Sequence, residues 1–163
     1  MNRQKMRFIA HASIIAAVYV LLTYISFVFG LASGAVQLRI SEALTVLPMF
    51  IPAAVPGLFV GCVIANLLSG CAVWDVIFGS IATFAAAYVT KRFAQRPLIG
   101  FISPVFFNTL IVPPVVYYVY GGTATLIATY IGVFAGEVLS VGIFGSVLYY
   151  HLKKTRIFEK WSK

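Results

Sequence analysis

The sequence has little acid. Only four of its 163 residues are Asp or Glu, against twelve Lys and Arg, which leaves a net charge of +8. Charged residues of both signs make up 10% of the chain, while 61% of it is hydrophobic. A soluble domain is nearer half apolar and a quarter charged, so soluble globular, disordered and disulfide-scaffold classes are excluded. With four acids a carboxylate-rich metal site is hard to build. Cysteine is scarce too. Cys62 and Cys71 on one helix would stand about 13 Å apart, beyond disulfide reach. They fit no metal-ligand spacing and read as small packing residues. Enzyme signatures are also missing. No glycine is followed by lysine, which removes the G-x-x-x-x-G-K-[ST] phosphate loop, and neither G-x-S-x-G nor H-E-x-x-H occurs. No ATP site of that kind, no cofactor and no metal are therefore expected, and the chain reads as a non-enzyme. An internal repeat, expected of an inverted-repeat transporter, is not visible.

Long apolar sequence is what the chain does have. A spanning helix takes about 20 residues, so 163 residues hold roughly six spans and no soluble domain. One transmembrane domain over 1–163, multi-pass in the cell membrane, is the expectation. The basic residues are clustered: Arg3, Lys5 and Arg7; Lys91, Arg92 and Arg96; Lys153, Lys154, Arg156, Lys160 and Lys163. All flank apolar runs, which is the positive-inside pattern of cytoplasmic segments rather than a nucleic-acid surface. The tail also suits contact with anionic lipid. Arg39 alone belongs to no cluster. An even number of spans must then separate each pair of clusters. Spans are expected near 8–29, 41–52, 54–70, 73–94, 98–119 and 123–152, giving an all-α membrane protein of six transmembrane helices with both termini cytoplasmic. The run 8–29 exceeds the apolar core of a cleavable signal and is read as a retained span.

The second span is too short. A dozen residues rise about 18 Å against a hydrocarbon core of about 30 Å, and Pro48 and Pro52 interrupt it. Segment 30–40 is therefore expected to enter the membrane as irregular backbone. That is tolerated only where it is buried in protein or lines a cavity, and by parity it faces outward.

Polar residues in apolar surroundings are the candidates for function, because charges at membrane depth usually face a cavity or a partner. They are Arg39, Glu42, Asp75 and Glu137, with Gln37, Asn66 and Asn108. Arg39 and Glu42 open a helix, where Glu42 suits the positive end and pairs with Arg39 or lines an outer pocket. Asp75 begins the fourth span; beside it, Trp74 is either an interfacial belt residue or a stacking face for a planar ligand. Glu137 is the strongest signal, lying halfway along its span with no helix-end explanation. Asn66 and Asn108 sit inside the third and fifth spans, where an interhelical hydrogen bond is the default. His11 and His151 read as interfacial. Ala12 and Ala16 form a small-x-x-x-small face in the first span. With no ATP site in the chain, that face suggests docking to another membrane subunit.

The stretch Val36-Gln37-Leu38-Arg39-Ile40-Ser41-Glu42-Ala43-Leu44-Thr45-Val46-Leu47-Pro48 resembles the QueT family. So do Pro52-Ala53-Ala54-Val55-Pro56-Gly57-Leu58, Gly61-Cys62-Val63-Ile64-Ala65-Asn66 and Trp74-Asp75-Val76-Ile77-Phe78-Gly79. The likeness covers nearly the whole chain. It implies an S-component, the substrate-binding subunit of an energy-coupling factor (ECF) vitamin-uptake transporter. It also implies an outward pocket, a queuosine precursor of 7-deazaguanine type as cargo, and three partners: a membrane coupling subunit and two cytoplasmic ATPases. Docking through an A-x-x-x-A motif in the first helix is implied as well, matched by Ala12 and Ala16. A deazaguanine offers two adjacent N–H donors, a carbonyl and a flat ring; Asp75, Glu137, Asn66, Asn108, Arg39 and Trp74 are the matching groups. The reading of another class is a small homodimeric proton-coupled transporter with Glu137 as proton carrier.

Overall fold

A computed structural model describes residues 2–32, 37–120 and 125–155. Helix α1 (Arg3–Val28) is followed by a 3-10 helix (Ile40–Met49), α2 (Ala54–Leu68), α3 (Val73–Arg92) and α4 (Pro97–Val119). A last continuous rod combines α5 (Leu126–Glu137), a π segment (Val138–Gly145) and α6 (Ser146–Thr155). There is no strand among the described residues. The expected helices stand close to their expected places. Four of them, α1, α3, α4 and the rod Leu126–Thr155, are long and apolar enough to cross a membrane. The other two are not. The 3-10 helix has 10 residues and α2 has 15, rises of about 20 Å and 22 Å, so four full-length spans are seen among the described residues. The expected irregular stretch is seen as a turn at 30–32 and non-helical backbone at 37–39. Its middle, 33–36, lies outside the described residues, as do 123–124 of the expected last span and the tail bases Arg156, Lys160 and Lys163.

Glycine sets how closely α1 and α2 pack. A Cβ on Gly57 would stand 2.7 Å from the Ala12 carbonyl oxygen, and one on Gly61 3.0 Å from Ala16 Cα. The two backbones meet through facing small residues. Ala12 and Ala16, expected as a docking face, are therefore occupied within the chain; Ala16 is buried and Ala12 half-buried. The small residues that α1 leaves exposed are Ala10, Ser13 and Ala17.

The 3-10 helix lies at the centre, packed against α1, α2, α3, α4, α6 and the π segment, and is buried from Ser41 to Pro48. Such helices rarely exceed three or four residues, because their hydrogen bonds are poorly aligned. Pro48 has no N–H to give an α-helical bond, and the Thr45 hydroxyl donates to the Glu42 carbonyl at 2.5 Å. Its start is held from α1 by three successive contacts. The Ile40 N–H donates to Ser26 Oγ at 2.9 Å, Thr23 Oγ1 donates to Ser41 Oγ at 2.8 Å, and the Tyr19 hydroxyl donates to the Glu42 carboxylate. Tyr19, Thr23 and Ser26 recur every three or four residues, so one face of α1 meets three consecutive residues.

Candidate functional site

Glu42 is 1% exposed and both its carboxylate oxygens are engaged. Oε1 accepts from the Tyr19 hydroxyl, and Oε2 accepts from Asn108 Nδ2 at 3.2 Å. Tyr19 stands nine residues before the end of α1, about 13 Å along the axis, so the carboxylate lies well inside the bundle. Asn108 comes from the middle of α4, where it is buried. Glu137 is a neighbour of the same Asn108 amide.

Glu137 ends α5 at the step into the π segment and is 5% exposed. Its Oε2 is buried and has no hydrogen-bond partner, and the same holds for Ser140 Oγ one turn further on. Glu42 repels this carboxylate electrostatically and Arg39 attracts it. π segments are rare and recur at functional positions. Next to Glu137, Gly136 admits the chain from the other side: a Cβ there would overlap the Gln37 carbonyl. Absence of a side chain at Gly136 therefore lets segment 37–39 lie directly over α5, which puts Arg39 in the same neighbourhood. Arg39 interacts electrostatically with Glu42 and Asp75.

The sequence candidates thus divide. Arg39, Glu42, Asn108 and Glu137 come together. Asp75, 5% exposed, stands at the α2–α3 turn, where Tyr120 Oη donates to its Oδ2 at 3.0 Å and accepts the Ala72 N–H at 3.0 Å. Burial pushes the Tyr120 hydroxyl up to about 12, so it remains a donor at neutral pH. Asn66 belongs to a neighbouring layer, in which Asn66 Nδ2 and Thr83 Oγ1 each lie 3.5 Å from Cys62 Sγ. Cys62 and Cys71 are free thiols. Trp74 does not join Asp75. It is 58% exposed and stacks on Phe78 with ring centroids 6.1 Å apart, as an interfacial residue does. His151 is exposed and His11 half-buried. Among the described residues no group of three metal-ligating side chains occurs.

Tyr19 and Ser140 were not among the sequence candidates. The signal for Tyr19 was the polar face Tyr19-Thr23-Ser26 in an otherwise apolar helix. Ser140 carried none, since its burial depends on the π segment.

The arrangement is a buried polar cluster in which the Glu42 carboxylate accepts two hydrogen bonds and one Glu137 oxygen accepts none. The family model of the QueT transporters matches residues 9–154. The chain belongs to the QueT transporter family. No curated protein and no solved structure matched it. As a QueT transporter family member it is a membrane transport protein. Its buried polar residues are then candidates for holding a transported small molecule.

Proposed function

We propose that this QueT-family chain is the substrate-binding S-component of an ATP-driven ECF importer, with a queuosine precursor of 7-deazaguanine type as cargo. The observation that carries the reading is the Glu137 carboxylate, buried with an oxygen that no protein group satisfies. Buried polar groups are normally paired, so a free acceptor beside Asn108 and Arg39 suits a ligand that brings its own donors. The guanine-type edge has two adjacent N–H donors, and its carbonyl suits Asn108 or Arg39. Glu42 has no free oxygen and is the support of the cluster. Energy comes from the coupling subunit and two ATPases, since this sequence has no phosphate loop. The coupling subunit meets α1 on the side of Ala10, Ser13 and Ala17, because Ala12 and Ala16 are covered by α2. The whole domain, 2–155 as described, acts as one binding unit with six membrane segments and cytoplasmic termini.

Two measurements test this. Mass spectrometry of small molecules released from the purified chain should find a deazaguanine, and copurification should recover ATPase subunits. A chain that transports alone, as a dimer and in step with a proton gradient, would instead support proton-coupled transport through Glu137.

A further inference from the structure

Between α4 and the last rod lies a groove of about 520 Å³. Phe101, Phe106 and Leu110 line it from α4, Phe134 and Gly142 from the rod, and its wall is almost wholly carbon. Thr109 lines it too, but the Thr109 hydroxyl oxygen is buried, so that residue offers the groove carbon. Gly142 keeps the groove open: a Cβ there would meet nothing nearer than Val138 Cγ1 at 3.9 Å. From Phe101 to Leu110 the groove follows α4 for about 14 Å, close to half of the roughly 30 Å hydrocarbon core. It is one leaflet deep.

Charge marks one end. Arg96, exposed, is the N-cap residue of α4, and its side chain makes no cap hydrogen bond. Phe101 follows little more than one turn later. The Phe101 ring meets Tyr149 edge to face with centroids 5.5 Å apart, and exposed Lys153 holds its Nζ 5.8 Å from the centroid of that same Tyr149 ring. Bases from both helices thus flank this end, beside the positive end of the α4 dipole. No described acid stands there, since Glu42 and Glu137 are inside the bundle and Asp75 is at the α2–α3 turn. Any apolar groove in a bilayer is wetted by lipid chains; the basic rim is what selects among them. Basic pockets between spanning helices on the cytoplasmic side suit anionic headgroups.

We infer that this groove is a binding site for an anionic phospholipid of the leaflet at the basic end, cytoplasmic by the positive-inside rule. One acyl chain lies along α4 and the rod, and the headgroup phosphate sits at Arg96 and Lys153. None of these residues belongs to the buried polar cluster, so the inference is independent of the cargo.

The test is native mass spectrometry of the full-length chain in detergent, titrated with phosphatidylglycerol or with phosphatidylcholine of identical chains. One phosphatidylglycerol should be retained about thirtyfold more tightly, the effect of two bases at the membrane surface. Arg96→Gln combined with Lys153→Gln should bring the two lipids within about threefold of each other. Gly142→Leu and, separately, Leu110→Trp fill the groove without touching a charge. Whichever of them melts like the parent should weaken both lipids by about tenfold. Equal retention of the two lipids by the parent overturns the inference. So does a preference that survives loss of both bases, or a folded groove-filling variant that holds lipid as the parent does. Glycerol phosphate, which has no chains, should not displace the lipid; if it does, the rim is an anion site and the groove holds nothing. In native membranes, benzoylphenylalanine in place of Phe106 should cross-link to lipid. A protein adduct makes the groove a subunit interface and overturns the inference as well.

Discussion

The α3–α4 pair and the 3-10 helix with its π neighbour use polar residues differently. In α3–α4 two regular helices pack side by side, and the buried Thr90 and Ser103 hydroxyls serve each other. Thr90 Oγ1 lies 2.8 Å from Ser103 Oγ, and Ser103 Oγ donates to the Ala86 carbonyl at 3.2 Å. This pair is satisfied locally and carries no charge, whereas Ser80 Oγ of α3 and Thr109 Oγ1 of α4 are buried without a hydrogen-bond partner. In the irregular pair the backbone departs from α geometry on both sides of the contact, and there the acids Glu42 and Glu137 are buried. Glu42 lies in the 3-10 helix and Glu137 at the step from α5 into the π segment, while the third buried acid, Asp75, opens the regular α3. Even within the irregular pair the two acids differ. Glu42 is saturated by protein donors, whereas Glu137 keeps a vacant oxygen.

Substitutions can break that contrast, and the largest effect is expected where α1 and α2 meet. Gly61→Val puts a branched side chain onto the α1 backbone, 3.0 Å from Ala16. Overpacking of this kind costs about 1–3 kcal/mol or more, and thermal unfolding should register it as the steepest loss of the series. Next comes Glu42→Gln. One acceptor remains for the two donors Tyr19 and Asn108, so a buried donor is stranded at about 1–3 kcal/mol. The melting temperature should fall whether or not ligand is present. Thr90→Val breaks a neutral hydroxyl pair. Interhelical hydrogen bonds in membranes average about 0.6 kcal/mol, so a shift of one or two degrees is expected at about 2–4 °C per kcal/mol. Smallest of all is Glu137→Gln without ligand. Removing a charge that lacks one partner should leave the melting temperature unchanged or raise it, while ligand titration shows the loss of binding. If Glu137→Gln destabilises the empty protein as much as Glu42→Gln does, the two acids are alike and Glu137 is structural.

Much of this was legible from residue types alone. Apolar run lengths placed α1, α3, α4 and the last rod, and the short, proline-broken segment at 41–52 correctly read as incapable of spanning the membrane by itself. The polar residues in apolar surroundings gave Arg39, Glu42, Asn108 and Glu137. Hydrophobicity could not show which backbone winding that segment takes, because 3-10 and α turns bury the same residues and differ in hydrogen-bond partner. The same limit hid the π segment, hence Ser140. The face at Ala12 and Ala16 was found correctly as a close-packing surface. Its partner could not be read, because small residues admit any backbone, and here Gly57 and Gly61 of the same chain fill it. Trp74 and Asp75 are adjacent in sequence, yet neighbours on a helix point about 100° apart, so one is turned out while the other is covered.

The hydrogen bonds of Glu42 also describe an order of synthesis. Its first donor, Tyr19, precedes it by 23 residues and is already made when the carboxylate emerges. Its second, Asn108, follows 66 residues later. The N-terminal third of the chain can therefore enter the bilayer with its acid half satisfied, before α4 exists. Glu137 is translated after all of these donors, once Tyr19 and one Asn108 N–H are committed to Glu42. Its vacant oxygen is the remainder of that sequence: of the three buried acids, the one translated last keeps an oxygen that no protein donor reaches.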